Sequence, residues 1–216
     1  MDRIIMHIDV NNAFLSWTAV DLLNKGSKYD IPNPAKKLGV VTGEPLYQAR
    51  KKCRALKTYP MNYPFYQKMS SKLFHLIRKY TPDIEIASID ECYLDYTKVK
   101  KLYGDPYEFA KKLQMEINDT LKFTVNIGIA NNKLCAKMAS DFTKPDHVHT
   151  LWKSEMSEKM WHLPVGDLFY VGHASLYKLK KLGFHTIGEL AGMDPAILRA
   201  LMKSLGILIW QYANGI

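Results

Sequence analysis

Three carboxylates, Asp9, Asp90 and Glu91, stand at the ends of short apolar runs and are the side chains of this sequence best suited to chemistry. Grouped acids repel one another, and no arginine lies beside them in sequence to offset the charge. Cations set between them would make the cost tolerable. Mg²⁺ takes oxygen ligands and usually binds through one or two carboxylates plus substrate phosphates. Two such ions about 3.5 to 4 Å apart can activate a hydroxyl nucleophile and stabilise a departing phosphate. Hydrolysis by a nuclease would use similar ligands, so the acids alone do not choose a reaction. A solvated turn is the plain alternative for the Asp90-Glu91 dipeptide.

The elements that must position these acids follow from periodicity. Arg3 to Asp9 (RIIMHID) reads as a buried strand that delivers Asp9 at its tip. Asn11 or Asn12 can cap a helix running through Phe14, Trp17 and Leu22 to Gly26. Residues 27–43 are rich in Pro, Gly and Lys and read as irregular, followed by a basic helix over 44–56. Pro64 opens a helix to Tyr80 with Phe65, Met69, Leu73, Leu76 and Ile77 at helical spacing. IEIASI and CYLDYT pair as an antiparallel hairpin around Asp90 and Glu91. Adjacent strand residues point to opposite faces, so these two acids share a site only if the hairpin twists or bulges there. Pro106 to Leu121 reads as an amphipathic helix, FTVNIGIA as a strand, and Asn131 or Asn132 as the cap of a helix ending at Asp141. The order gives an α+β fold, an antiparallel sheet with helices on one face. Residues 166–216 switch to short helices with Gly turns, a small separate helical unit.

Charge sorts along the chain. Of 216 residues, 30 are Lys or Arg and 21 Asp or Glu, a net +9. Residues 25–80 hold thirteen basic and two acidic side chains, a local +11, whereas residues 81–150 hold nine basic and eleven acidic, a local −2. One part is therefore suited to a polyanion while its neighbour concentrates carboxylates, although a solvated lysine surface would also produce the first pattern. Cys53, Cys92 and Cys135 form no CxxC pair, which argues against a disulfide framework or a structural zinc site and for a reduced cytoplasm. No apolar run reaches the ~18 residues of a membrane span, so a soluble protein with no membrane partner is expected.

At IASIDECYLDY, with HIDVNNAF upstream and GIANNKLCAKMASDFTKP downstream, the sequence resembles the three palm motifs of the Y-family, lesion-bypass DNA polymerases, in the same order and over nearly the whole chain. The resemblance implies a right-hand architecture: palm at 1–10 and 65–150, fingers at 11–64 and apparently shortened near 29–36, and a helical thumb at 151–216. It implies template-directed addition of dNTP to a primer, with primer–template DNA as partner and two Mg²⁺ ions as cofactor. Asp9 and Asp90 match the family's metal ligands and Glu91 its third acid, and Val10 would offer a backbone carbonyl to a metal. Phe14, five positions after Asp9, matches the aromatic gate that excludes a ribose 2′-hydroxyl; ordinary core packing with Trp17 is the plain alternative. Lys144 matches a lysine that contacts the incoming triphosphate, a role suited to a point charge. Ser88 and Asn132 match positions read as local structural support.

The sequence also departs from that pattern. INPAKKLGV stands where the family has a Ser-Tyr-x-Ala-Arg stretch: Asn33 falls at the tyrosine, and Lys36 keeps the arginine's charge without its fork. LPVGDLFYVGHASLYKLKKLGFHTIGELA resembles a thumb helix-hairpin-helix in which Gly172 would let backbone amides approach a DNA phosphate, but Tyr170 occupies the place of the first glycine of the pair. The DNA-gripping little finger and any sliding-clamp peptide beyond it are absent, as expected for a catalytic fragment. Two other readings stay open: a DNA-binding fragment with incomplete chemistry, and a nucleotide cyclase with a palm-like sheet.

Overall fold

The computed structural model describes residues 3–26, 34–41 and 43–216, with the side chains of Pro34 and Lys36 outside that set. The chain forms two compact units, one of Met1–Asn11 with Lys72–Ile216 and one of Asn12–Ser71. The first is built on a five-stranded sheet: β1 (Ile5–Val10), β2 (Ile84–Ile86), β3 (Glu91–Asp95), β4 (Val125–Ala130) and β5 (Val148–Leu151), in the order β2-β3-β1-β4-β5. β1 runs antiparallel to β3 and β4, and β2 antiparallel to β3.

Two features of this sheet correct the expectation from sequence. β5 pairs parallel to β4, so the sheet is mixed rather than wholly antiparallel. β1 and β4 are buried at all six of their positions, so cover is needed on both faces rather than one. VHTL is too short and too polar to announce itself as a strand, and a parallel partner needs a crossover connection, here the segment carrying a helix over Lys133–Asp141.

The helices are α1 (Ala13–Asn24), α2 (Pro34–Lys37), α3 (Leu46–Lys52), α4 (Tyr63–Arg78), α5 (Lys100–Tyr103), α6 (Pro106–Leu121), α7 (Lys133–Asp141), α8 (Met156–Lys159), α9 (His173–Lys181), α10 (Ile187–Ala191) and α11 (Pro195–Ala213). The local chemistry explains their ends. Asp105 caps α6 by accepting from the N–H groups of Tyr107 and Glu108, with Pro106 at the first helical position. Asn132 caps α7 by accepting from Cys135 N–H at 2.8 Å. Asn12 takes the cap position of α1 through a left-handed backbone (φ 48°) and makes no side-chain capping bond. α3 is shorter than the sequence pattern suggests, because the chain turns extended at Cys53 (φ −135°, ψ 93°).

α7 lies directly on the sheet. A Cβ on Gly128 would come 1.9 Å from the Ala136 carbonyl oxygen and 2.4 Å from Ser140 N, so only glycine permits this approach. Around that contact one buried core runs from Ile5, Ala130, Ala136 and Leu151 to Leu179, Leu190, Leu198, Ile209 and Ala213 of the C-terminal helices. The C-terminal helices thus share a core with the sheet. α11 changes direction at Lys203 (φ 59°), which brings Gly206 so close to Leu198 that a Cβ would sit 2.2 Å from its carbonyl oxygen.

The second unit, Asn12–Ser71, is organised by aromatic rings. Trp17 and Tyr66 are buried, with centroids 6.0 Å apart, and Phe14 meets Trp17, Tyr63 and Tyr66 at 5.2 to 6.3 Å. Thr18 Oγ1 and the Tyr66 hydroxyl lie 2.6 Å apart, which gives the buried phenol a partner.

Candidate catalytic carboxylate site

Asp9 and Glu91 are opposite one another in the β1–β3 register, so their side chains leave the same face of the sheet. His7, two residues before Asp9, shares that face and packs against Tyr93 at 4.8 Å between ring centroids. Asp90 lies just outside β3, in the bend that follows β2, and its carbonyl accepts from Val10 N–H at 3.1 Å. The N–H groups of Ala87 and Ser88 both donate to the Glu91 carbonyl, at 3.0 and 3.2 Å. Two N–H groups of one strand thus oppose a single carbonyl of the other, which is a bulge in the hairpin at Ala87 and Ser88. Ser88 Oγ donates to Asp90 Oδ1 at 2.6 Å and holds that carboxylate in the bend.

Each of the other two acids has a cationic partner that its sequence neighbours do not supply. Glu91 Oε2 accepts from Lys137 Nζ at 2.7 Å and from His7 Nε2 at 3.3 Å. His7 Nδ1 in turn lies 2.8 Å from Ser140 Oγ, so α7 positions both partners of Glu91. The hydrogen bond from His7, followed by that from Lys137, outweighs burial and holds the Glu91 carboxyl at about 2. Asp9 is buried and hydrogen-bonded to Lys144, which also reaches Asp141 Oδ1 at 2.7 Å. Burial dominates at Asp9 and raises its pKa, with Lys144 pulling the other way. For Lys144 burial opposes the charge, but the bonds to Asp141 and Asp9 prevail and raise its pKa.

The loop that carries Lys144 is tied to the sheet by two asparagines: Asn11, read from sequence only as a candidate helix cap, and Asn126, which was not singled out. Asn126, on β4 opposite Asp9, donates to the carbonyls of Ser140 and Thr143 at 2.8 and 2.6 Å. Its amide oxygen accepts from Asn11 Nδ2 at 2.9 Å and from His147 N–H at 3.3 Å. Asn11 Oδ1 accepts from Asp146 N–H at 2.9 Å. A fully buried Asn in a strand of alternating apolar residues was the available signal, since burial without partners would be costly.

The donor set suits a hard divalent cation. Asp9 and Glu91 leave one face of adjacent strands, lysine ammonium groups already sit at both, and the cost of burying Asp9 is of the kind a cation offsets. Among the described residues no three His, Cys, Asp or Glu side chains gather closely enough to hold an ion by themselves. A divalent ion that completes its shell with substrate phosphates and water needs no such cage.

The remaining residues singled out from sequence lie elsewhere. Phe14 is 42% exposed on α1, in the Asn12–Ser71 unit. Lys36 belongs to the short helix α2, but its side chain lies outside the described set, as does Asn33 altogether. Gly172 caps α9 at φ −79°, and a Cβ there would meet nothing within 4 Å. Tyr170, at the place of the missing glycine, adopts φ 77°, the left-handed backbone that favours glycine. Its ring lies edge-on to Tyr212 at 5.8 Å. Among the described residues no helix is long and apolar enough to cross a membrane.

Comparison with solved structures defines the class. A DinB family error-prone DNA polymerase from Sulfolobus solfataricus matches 98% of this chain and 66% of its own, with TM-score 0.84 and 27% identity. An insertion ternary complex of Dbh DNA polymerase matches with TM-score 0.83 and 25% identity, over 98% of this chain and 67% of that one. This is the α+β fold of DinB-type polymerase cores. Residues 22–141 match the impB/mucB/samB family, and the chain belongs to that family. It is 46% identical to DNA polymerase IV of Clostridium acetobutylicum over all of this chain and 60% of that protein, and 37% identical to DNA polymerase IV 1 of Bacillus subtilis over 99% and 55%. The chain thus spans a little over half the length of these relatives. The first of these alignments runs over 238 positions against 216 residues here, so that relative has residues with no counterpart in this chain.

Proposed function

We propose that this chain is the catalytic part of a translesion DNA polymerase that adds dNTP to a primer 3′-hydroxyl under the direction of a template, in damage tolerance in the cytoplasm. The observation that carries the reading is the Asp9–Glu91 pair on one sheet face with Asp90 in the adjoining bulged bend, in a chain of this family. In this reading Asp9, Asp90, Glu91 and the Val10 carbonyl hold Mg²⁺. When bound, two such ions supply Lewis-acid activation of the hydroxyl and charge neutralisation of the leaving pyrophosphate.

The chain's own residues do the rest. Glu91, kept ionised by His7 and Lys137, offers a full negative charge at any physiological pH. Ser88 fixes the Asp90 carboxylate in the bend. Lys144 and Lys36 bind the triphosphate, and the Phe14 ring crowds a ribose 2′-hydroxyl and selects deoxynucleotides. Gly172, at the start of α9, leaves open space for a DNA phosphate beside the helix amides. Residues 1–10 and 65–150 act as palm, 11–64 as fingers and 151–216 as thumb. A sliding clamp is a further partner in this reading.

Primer extension by this chain at low salt with Mg²⁺ and dNTP tests the proposal. Template-directed incorporation supports it. A folded protein that binds primer–template yet never extends it would favour the second reading, a DNA-binding fragment whose chemistry needs the rest of the protein. That reading is motivated by the chain's spanning 60% of its relative.

A further inference from the structure

The two facing acids are held by cations of different kinds. Lys137 approaches Glu91 from α7 with its side chain only 16% exposed, and its ammonium also lies 5.5 Å from the centre of the Phe169 ring. His7 shares the same Glu91 oxygen and is wholly buried. Both of these partners act on Oε2, and among the described residues none bonds Oε1. This cation is built into the fold. Lys144 differs in every respect: its side chain is 40% exposed, it reaches Asp9 from a loop, and it has a second anchor in Asp141, itself half exposed at 50%.

We propose that Lys144 is an exchangeable counter-ion of Asp9: it occupies the carboxylate in the metal-free protein and is displaced onto Asp141 when a divalent cation binds. A bound divalent ion and an ammonium group on the same buried carboxylate repel each other, and a carboxylate oxygen engaged by an ammonium group is less available as a ligand. Asp141, three residues before Lys144, keeps the displaced ammonium near the site. Resting on the function proposed above, the exchange assigns Lys144 to the triphosphate only once the cation has arrived, so cation and nucleotide each strengthen the other's binding. Linkage makes that coupling reciprocal.

Calorimetric titration of Mn²⁺ alone into the 216-residue chain and its Lys144→Gln and Lys144→Arg variants tests the exchange, with circular dichroism to establish folding. Lys144→Gln removes the competing charge and is expected to bind Mn²⁺ roughly tenfold more tightly than the wild type, within the range usual for coupled sites. Lys144→Arg keeps the charge and is expected to stay close to the wild type, which keeps the test decisive should the glutamine variant fold poorly: an arginine variant with affinity raised as much would overturn the proposal. With a non-reactive dNTP analogue present, the wild type is expected to gain more Mn²⁺ affinity than Lys144→Gln does. Unchanged or weakened Mn²⁺ affinity in folded Lys144→Gln would overturn the exchange while leaving the metal site intact. Absence of Mn²⁺ binding to all three proteins would overturn the metal reading of Asp9 and the exchange with it.

Discussion

The sheet unit and the Asn12–Ser71 unit solve different problems with charge. In the sheet unit the two facing carboxylates meet partners from distant sequence, and buried polar residues such as His7, Asn11, Asn126 and Ser140 are tied into one network around them. In the other unit the buried residues among those described are few and mostly apolar, Trp17 and Tyr66 foremost, while Arg50, Lys51, Lys52, Arg54 and Lys57 are exposed. The first arrangement fixes single charges by specific hydrogen bonds. The second supplies a diffuse positive potential, which attracts a polyanion without demanding exact geometry. The excess positive charge and the carboxylates proposed for catalysis lie in different parts of this chain.

That division can be broken by experiment. The largest effect is expected from Asp90→Ala, which should lower primer extension roughly 10³-fold or more, several kcal/mol of lost charge stabilisation. Full activity in that variant would remove the sheet unit's claim to the chemistry. Trp17→Ala should cost about 3 to 5 kcal/mol. Hydrogen exchange is expected to show the loss in amides of 12–71 before those of β1 and β4; uniform loss would mean the two units do not open separately. Gly128→Ala should cost about 3 kcal/mol by lifting α7 from the sheet, measured by denaturant unfolding. It should also lower activity, because α7 carries Lys137 and Ser140.

The smallest effect concerns pH. The Glu91 carboxyl is held at about 2 in the folded chain against an ordinary 4.5. A depressed pKa contributes stability that is present above about pH 4.5 and is lost as the pH falls towards 2. In a chelator, Glu91→Gln should therefore be less stable than the wild type near pH 7, by on the order of 2 kcal/mol after allowance for partial exposure. The two unfolding curves should converge near pH 2. A gap that persisted there would assign the loss to packing rather than to charge.

Much of the fold was legible in the sequence because its signals are local. Pro106 to Leu121 announces its helix by a capping Asp, a first-position Pro and an apolar stripe, and the structure has it at those residues. Strand geometry alone said that Asp90 and Glu91 could share a site only if the hairpin twisted or bulged, and the structure has a bulge in that hairpin, at Ala87 and Ser88 opposite Glu91. Long-range pairing was not legible. Nothing near VHTL reveals a parallel strand, and no run of residues near Glu91 reveals His7 and Lys137, 84 and 46 positions away. The apparent lack of cationic partners for the acids was a property of the sequence neighbourhood, not of the folded chain. Gly128 was likewise silent, since its reason is the backbone of a helix that has not yet docked.

Asn126 gives the site a polarity that shape alone cannot supply. Its two amide hydrogens go to two carbonyls and its oxygen takes two N–H groups, so every valence of the side chain is committed. An aspartate of the same outline would turn one carboxylate oxygen against both the Ser140 and Thr143 carbonyls, and a leucine would remove the bond that Asn126 gives to each of the four groups. The segment from Ser140 to His147 is therefore keyed to the sheet as a plug is keyed to a socket, by the direction of its dipoles. The backbone that carries Lys144 is thereby tied to β4, while its side chain spans Asp9 and Asp141.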